Sequence, residues 1–372
     1  MRSLYKIYLL LLPVLLFSCT SKFIPEIDEY DNIIVVEGLL TNEENSNYVK
    51  LSRTIPAGIT GLSSPVVGAH VYIKNEFNDA EVFYEDRPGY YLPSSPGFRG
   101  ETGQSYTLYI LTDNKQYESS PMLMREVPDI DSLYTEFTFT DDGSMYPPLY
   151  EYDVYFDSYG SSVNNKYFRW AYTEVWEYHL PWHYPPDYKR ICWVSEESSD
   201  IIIKNNSTLE QSVVEKFHLI HLDNRASSRL FQKYSIQLKQ YSISEDEYIF
   251  WETMKKMTDE QGGLYDPIPK PLTGNIISMA DDTEPVLGYF SVSAVSKKRL
   301  FIHNDTIKYT PGGQYCVTDT AATIEEISGL NKYVFILEEV DDVGFLLSTF
   351  EQCADCRLSG TNTPPPFWYD EE

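Results

Sequence analysis

Basic side chains are scarce. The chain has 29 Lys and Arg against 56 Asp and Glu, a net charge of −27 over 372 residues. A field of that sign repels phosphate backbones, so nucleic acid is excluded as a partner. It also argues against direct contact with anionic lipid. Nucleotide, metal and serine-nucleophile signatures are missing as well: there is no GxSxG, HExxH, Walker loop, GxGxxG or EF-hand loop. Histidine is limited to six positions. His218 and His221 sit three apart in an expected strand, which would place them on opposite faces. His179 and His183 have no evident third ligand. No metal or other cofactor is therefore expected. Beyond the N-terminus no run reaches 18 apolar residues, too short for a spanning helix.

The N-terminus is different. Arg2 and Lys6 precede an apolar stretch from Ile7 to Phe17, which is short of the roughly 20 residues a bilayer requires and fits a secretory leader. Leu16-Phe17-Ser18-Cys19 resembles the lipobox of bacterial lipoproteins, in which the peptide is cut before the cysteine and acyl chains are added to it. Residues 1–18 then read as signal peptide, Cys19 as the lipidation site and 19–31 as an acidic tether. Two or more acyl chains hold a protein on a membrane almost permanently. An ordinary signal peptide is the alternative, since Phe17 is bulky for its position.

Aromatics are abundant, with 31 Tyr, 18 Phe and 6 Trp, a composition that favours strands. From Asn32 short alternating segments separated by turns run to residue 126. About seven strands in some 90 residues predict a β-sandwich, and the order Gly68-Ala69, Val71-Tyr72-Ile73, Gly89-Tyr90-Tyr91, Gly100 and Gly103-Gln104-Ser105-Tyr106-Thr107-Leu108 resembles immunoglobulin/prealbumin-like modules of bacterial surface proteins. Val127-Pro128-Asp129-Ile130-Asp131-Ser132 reads as an exposed junction. Residues 127–372 are expected to form a larger β-rich domain. In it Tyr167–Tyr178 alternates, with Phe168, Trp170, Tyr172, Trp176 and Tyr178, interrupted only by Glu174, on the expected core face and Arg169, Ala171, Thr173, Val175 and Glu177 on the other; an exposed ladder that binds glycans or a partner is the alternative. One helix is predicted near 244–261, opened by the capping box Ser244-Glu245-Asp246-Glu247. Its apolar stripe is Tyr248, Phe250, Trp251, Met254 and Met257.

Four cysteines remain after Cys19: Cys192, Cys316, Cys353 and Cys356. An even number in an exported chain predicts two disulfides, with Cys192 and Cys316 each approaching the C-terminal pair. A four-thiolate zinc site or a redox dithiol lacks flanking support. The stiff loop Tyr178–Tyr188 carries the candidate binding surface: Tyr178, Trp182, His183, Tyr184 and Tyr188. Packing of that loop over the sheet is the alternative.

Several segments, in order, resemble an uncharacterised family of Bacteroidota lipoproteins, the domain of unknown function 4249. They are Val35-Val36-Glu37-Gly38, Tyr167-Phe168-Arg169-Trp170, Asn275-Ile276, Val286-Leu287-Gly288-Tyr289-Phe290, Cys353-Ala354-Asp355-Cys356-Arg357 and Pro365–Trp368. Such proteins resemble accessory lipoproteins of TonB-dependent outer-membrane receptors. The resemblance implies a non-enzymatic protein anchored by lipid at the outer membrane, on its periplasmic face or at the cell surface, beside a receptor barrel or a captured glycan or peptide. A glycan-binding or adhesive protein, and a hydrolase with dispersed carboxylates, are the other two expectations.

Overall fold

The computed structural model describes residues 32–369, apart from 56–63, 142, 144–147, 161–164, 181, 183–184, 260–271, 282, 304–317, 322, 331–332 and 341–343. Cys19, the leader, Cys316, His183 and Tyr184 lie outside the described residues. The chain is mainly β.

Nine strands come first: β1 (Ile34–Thr41), β2 (Tyr48–Arg53), β3 (Ser64–Pro65), β4 (His70–Asn75), β5 (Ala80–Arg87), β6 (Tyr90–Pro93), β7 (Ser105–Thr112), β8 (Lys115–Ser119) and β9 (Met122–Leu123). Alternation sends Val36 and Leu40 of β1, Val49 and Leu51 of β2, and Leu108 and Ile110 of β7 into one core. A Cβ on Gly38 would lie 3.6 Å from Leu108 and 2.8 Å from Phe290. β1 and β7 thus face each other across that core, although four strands separate them in the sheet.

The second body is built on β10 (Ser132–Thr140), β11 (Leu149–Gly160), β12 (Tyr167–His179), β13 (Ile191–Glu197), β14 (Ile202–Asn205), β15 (Ser212–Asp223) and β16 (Lys233–Ser242). Helix α1 (Asp187–Arg190) leads into β13, and α2 (Glu245–Asp259) follows β16. The chain then adds β17 (Ile276–Ser278), β18 (Leu287–Ser293) and β19 (Val295–His303). A small sheet of β20 (Thr318–Ala321), β21 (Phe335–Val340) and β22 (Gly344–Ser348), with helix α3 (Ile324–Ser328), precedes the C-terminus.

β17 and β18 correct the expected division of the chain. β17 pairs with β8, and β18 runs parallel to β1 from Val35↔Leu287 to Thr41↔Ser293. The first sheet is therefore completed by residues some 250 positions beyond β1, and residues 32–126 do not make it alone. The two ends of the sheet meet. Thr273 bridges Leu287, and the Asn275 side chain accepts from the Phe290 N–H (2.8 Å) and donates to its carbonyl (2.9 Å), as a paired strand would. The expected junction is also fastened. Pro128 O accepts from Gln240 Nε2 at 2.7 Å, Asp129 O accepts from Ser158 Oγ at 3.0 Å, and Ile130 is buried.

In the second body the sheet β10-β11-β15 faces the sheet β13-β12-β16-β19, with β14 also pairing β12. Between them lie Val154, Phe156, Leu219 and Leu222 from one side, and Phe168, Trp170, Trp176, Ile236 and Leu238 from the other. The aromatic row of β12 is thus a core face. Each buried aromatic removes roughly 150–250 Å² from water, about 4–6 kcal/mol before the entropy of ordering. Trp170 Nε1 donates to buried Gln240 Oε1 at 2.8 Å, so the polar edge of this ring is satisfied.

One carboxylate shares that core face. Glu174 accepts from Tyr234 Oη at 2.7 Å and lies 3.2 Å from Arg229 Nε, and Arg229 also holds Glu196 at 2.6 Å. Burial pushes Glu174 above the usual carboxylate range, against the pull of Tyr234 and Arg229.

Helix α2 joins the bodies. Phe250, Trp251 and Met254 pack on the first core, while Tyr248 meets Tyr167 of β12 with ring centroids 5.3 Å apart. Ser244 Oγ accepts from Glu247 N–H at 3.1 Å, half of the predicted capping box. The Glu247 side chain takes no part in the other half. It turns inward, fully buried, and accepts from Ser291 Oγ of β18 (2.5 Å) and Trp251 Nε1 (3.2 Å).

Candidate functional site

A polar groove opens between the bodies. One wall is the outer face of β1, β2 and β6, where Glu37, Tyr48 and Tyr90 alternate with buried neighbours. The other wall is the β12–β16 face opposite the aromatic core, carrying Arg169, Thr173 and Lys239. Its volume is about 390 Å³. A neighbouring hollow of about 430 Å³ shares Glu37, Tyr48, Tyr90 and Glu197 and adds Lys50 and Arg87.

The first wall is internally satisfied. Tyr48 and Tyr90 stack with centroids 5.4 Å apart, and the Arg87 guanidinium sits 4.0 Å from the Tyr90 ring centre. Glu37 accepts from Tyr48 Oη at 3.0 Å and from Lys50 Nζ at 3.2 Å. Burial, followed by the Glu37 charge, raises the Tyr48 phenol well above its ordinary value, so it remains a hydrogen-bond donor. Burial raises Tyr90 too, opposed by Arg87.

The second wall is not. The Arg169 guanidinium carbon lies 4.6 Å from the Tyr241 ring centre and 4.8 Å from that of Trp251. Its Nε is buried without an acceptor. Burial raises Glu247 behind it, with Ser291, Arg169 and Trp251 pulling the other way.

The expected binding loop is placed differently. Tyr178 and Trp182 pack around Leu180, Cys192 and Cys356, and Trp182 also touches the cluster of Leu337 and Cys353. Tyr188, in α1, is 55% exposed and lies beside Arg357, 5.4 Å from ring centre to guanidinium. Cys192 and Cys356 form a disulfide with Cα atoms 5.8 Å apart. Cys353 is disulfide-bonded as well.

The histidine pair requires a correction. A bulge shifts the β11–β15 register, so that Val154 pairs Ile220 while Tyr155 pairs His218. The extra residue, Leu219, brings His218 and His221 to one face. His218 Nε2 and His221 Nδ1 lie 2.9 and 3.0 Å from the same Asp153 oxygen. Burial alone would raise Asp153, but the two imidazoles outweigh it and its carboxyl falls below the usual range. That hydrogen bond raises His221. Among the described residues no three such groups converge as a metal-binding set.

The groove residues come from five separated segments, and the sequence pattern brings together only those of one strand, Arg169, Ala171 and Thr173. The strand period does set Arg169 and Thr173 apart from the core face, which is the one signal that could have found them.

The fold and groove define a mainly-β protein of two joined bodies with a cleft between them. A profile described as a domain of unknown function (DUF4249) matches residues 20–299, most of the chain, and the chain belongs to that family. No curated protein matches it.

Proposed function

We propose that the chain is a Bacteroidota outer-membrane lipoprotein that acts, without catalysis, as a ligand-binding accessory of a TonB-dependent receptor. Acyl chains on Cys19 and the acidic tether to residue 31 would hold the body at the membrane. The first body, read as an immunoglobulin/prealbumin-like sandwich, would dock the barrel. The groove would present ligand.

The reading is supported by a segment that resembles a lipobox, ending at Cys19, directly before the family match that runs from residue 20 to 299. The groove adds a pre-formed polar site of a size that ligands occupy. Crosslinking in intact membranes followed by mild-detergent purification tests the partnership. A receptor barrel recovered in stoichiometric amount supports it, and recovery of the chain as an uncrosslinked monomer contradicts it.

A further inference from the structure

The geometry points to the groove as a site for a short saccharide bearing a carboxylate, held by Arg169 and Lys239. This deepens the reading of the groove as a ligand site and rests on it.

Cations are outnumbered almost two to one in this chain, and several of them still have no ion pair among the described residues. Two of them share one face of β12 and β16. Arg169 pairs in register with Tyr241, and Lys239 with Ala171, which makes the two cations diagonal neighbours on an antiparallel ladder. Both line the groove. Among the described residues neither has an ion pair, and Arg169 has no hydrogen-bond acceptor. By contrast Lys297, across the ladder from Lys239, is held by Glu43, and Arg53 is held by Asp113.

Arg169 is also oriented in advance. Its guanidinium lies against the Tyr241 and Trp251 rings, which limits the side-chain entropy lost when an anion arrives. A planar fork held on aromatic rings suits bidentate contact with a carboxylate.

The rest of the lining selects a saccharide over a peptide. An extended peptide gains affinity by pairing its backbone with a free sheet edge. Here β1, β2 and β6 lie inside the first sheet, and β12 and β16 inside the second, so their ladders are already paired and only side chains face the ligand. Those side chains include Ser46, Asn45, Thr173 and Ser198, with Glu37 on the facing wall, Glu197 beside Thr173 on the cations' own face, and Glu43 held by Lys297. Hydroxyls and amides exchange hydrogen bonds with sugar hydroxyls, and the carboxylates accept from them. The groove's three carboxylates would oppose a doubly charged phosphate more than a singly charged carboxylate.

The test uses the full-length lipoprotein in detergent on an array of uronate-bearing and neutral oligosaccharides. Calorimetry follows with trigalacturonate, its methyl ester, triglutamate and a sugar phosphate. Binding confined to carboxylated glycans is expected, with the methyl ester at least tenfold weaker. R169Q and K239Q should each weaken trigalacturonate tenfold or more, and T173W, which fills the groove, should abolish binding. Far-ultraviolet circular dichroism checks each variant. If R169Q does not fold, K239Q and T173W decide the matter. The inference is overturned if no uronate glycan binds, if neutral sugars bind equally, if triglutamate or the sugar phosphate binds more tightly, or if folded variants bind like the parent. A barrel that still co-purifies in any of these cases leaves the receptor partnership standing and removes only the ligand assignment.

Discussion

Removing the Cys192–Cys356 link tests how the C-terminal segment is held. The two cysteines are 164 residues apart in sequence, and both are buried. In the chain-entropy account, opening a loop of that length destabilises the native state by about 5 kcal/mol, against the 2–5 kcal/mol common for native disulfides. Other contacts hold the same segment: Trp193 and Thr361 exchange backbone hydrogen bonds at 2.7 and 3.0 Å, and Trp368 is buried against Trp193 and Phe301. The C192A/C356A variant should therefore keep the fold and lose about 3–5 kcal/mol. Urea unfolding followed by tryptophan fluorescence reads the loss. Limited proteolysis should cut first within residues 349–369. Because Cys353 has its own disulfide, reduction of the parent protein should cost more than the double variant. A loss under about 1 kcal/mol, or unchanged protease resistance of the C-terminus, would refute the argument.

Three further outcomes follow from particular residues. Gly288 has φ +92°, and a Cβ there would lie 1.9 Å from Val36 O, so G288A should cost about 2–4 kcal/mol by urea unfolding. R229A leaves Glu174 buried beside Tyr234 without its cation and should cost about 3–5 kcal/mol, with E174Q/R229A recovering part of the loss. Glu247 is raised by burial above its ordinary value of 4.5, so the native protein keeps a proton that the unfolded chain releases. Its contribution is favourable below 4.5 and is lost as pH rises through the raised native value. Relative to the parent, E247Q should show a flatter decline in stability above pH 4.5; parallel pH profiles would contradict that assignment.

Local pattern carried the fold where contacts are local. The alternation of Phe168, Trp170, Tyr172 and Trp176 named a core face because strand geometry has a period of two. It could not reveal β18, because a parallel partner is reached only through a long crossover whose register leaves no local trace. His218 and His221 were misplaced for a related reason: a one-residue bulge reverses the face, and bulges are set by pairing with β11. Trp182, read as a ligand contact, packs against the disulfide region, since a proline-rich aromatic loop looks the same in sequence whether it covers a core or faces solvent. The groove was the least legible part, because Tyr48, Tyr90, Arg169 and Lys239 meet only after both bodies have folded.

The anchor is the claim on which the partnership depends. Cells grown with labelled palmitate should yield a labelled chain that sediments with outer membranes, and Cys19→Ala should abolish both label and sedimentation. A Cys19→Ala chain that still takes up palmitate, or that stays as firmly with the envelope, would contradict the account.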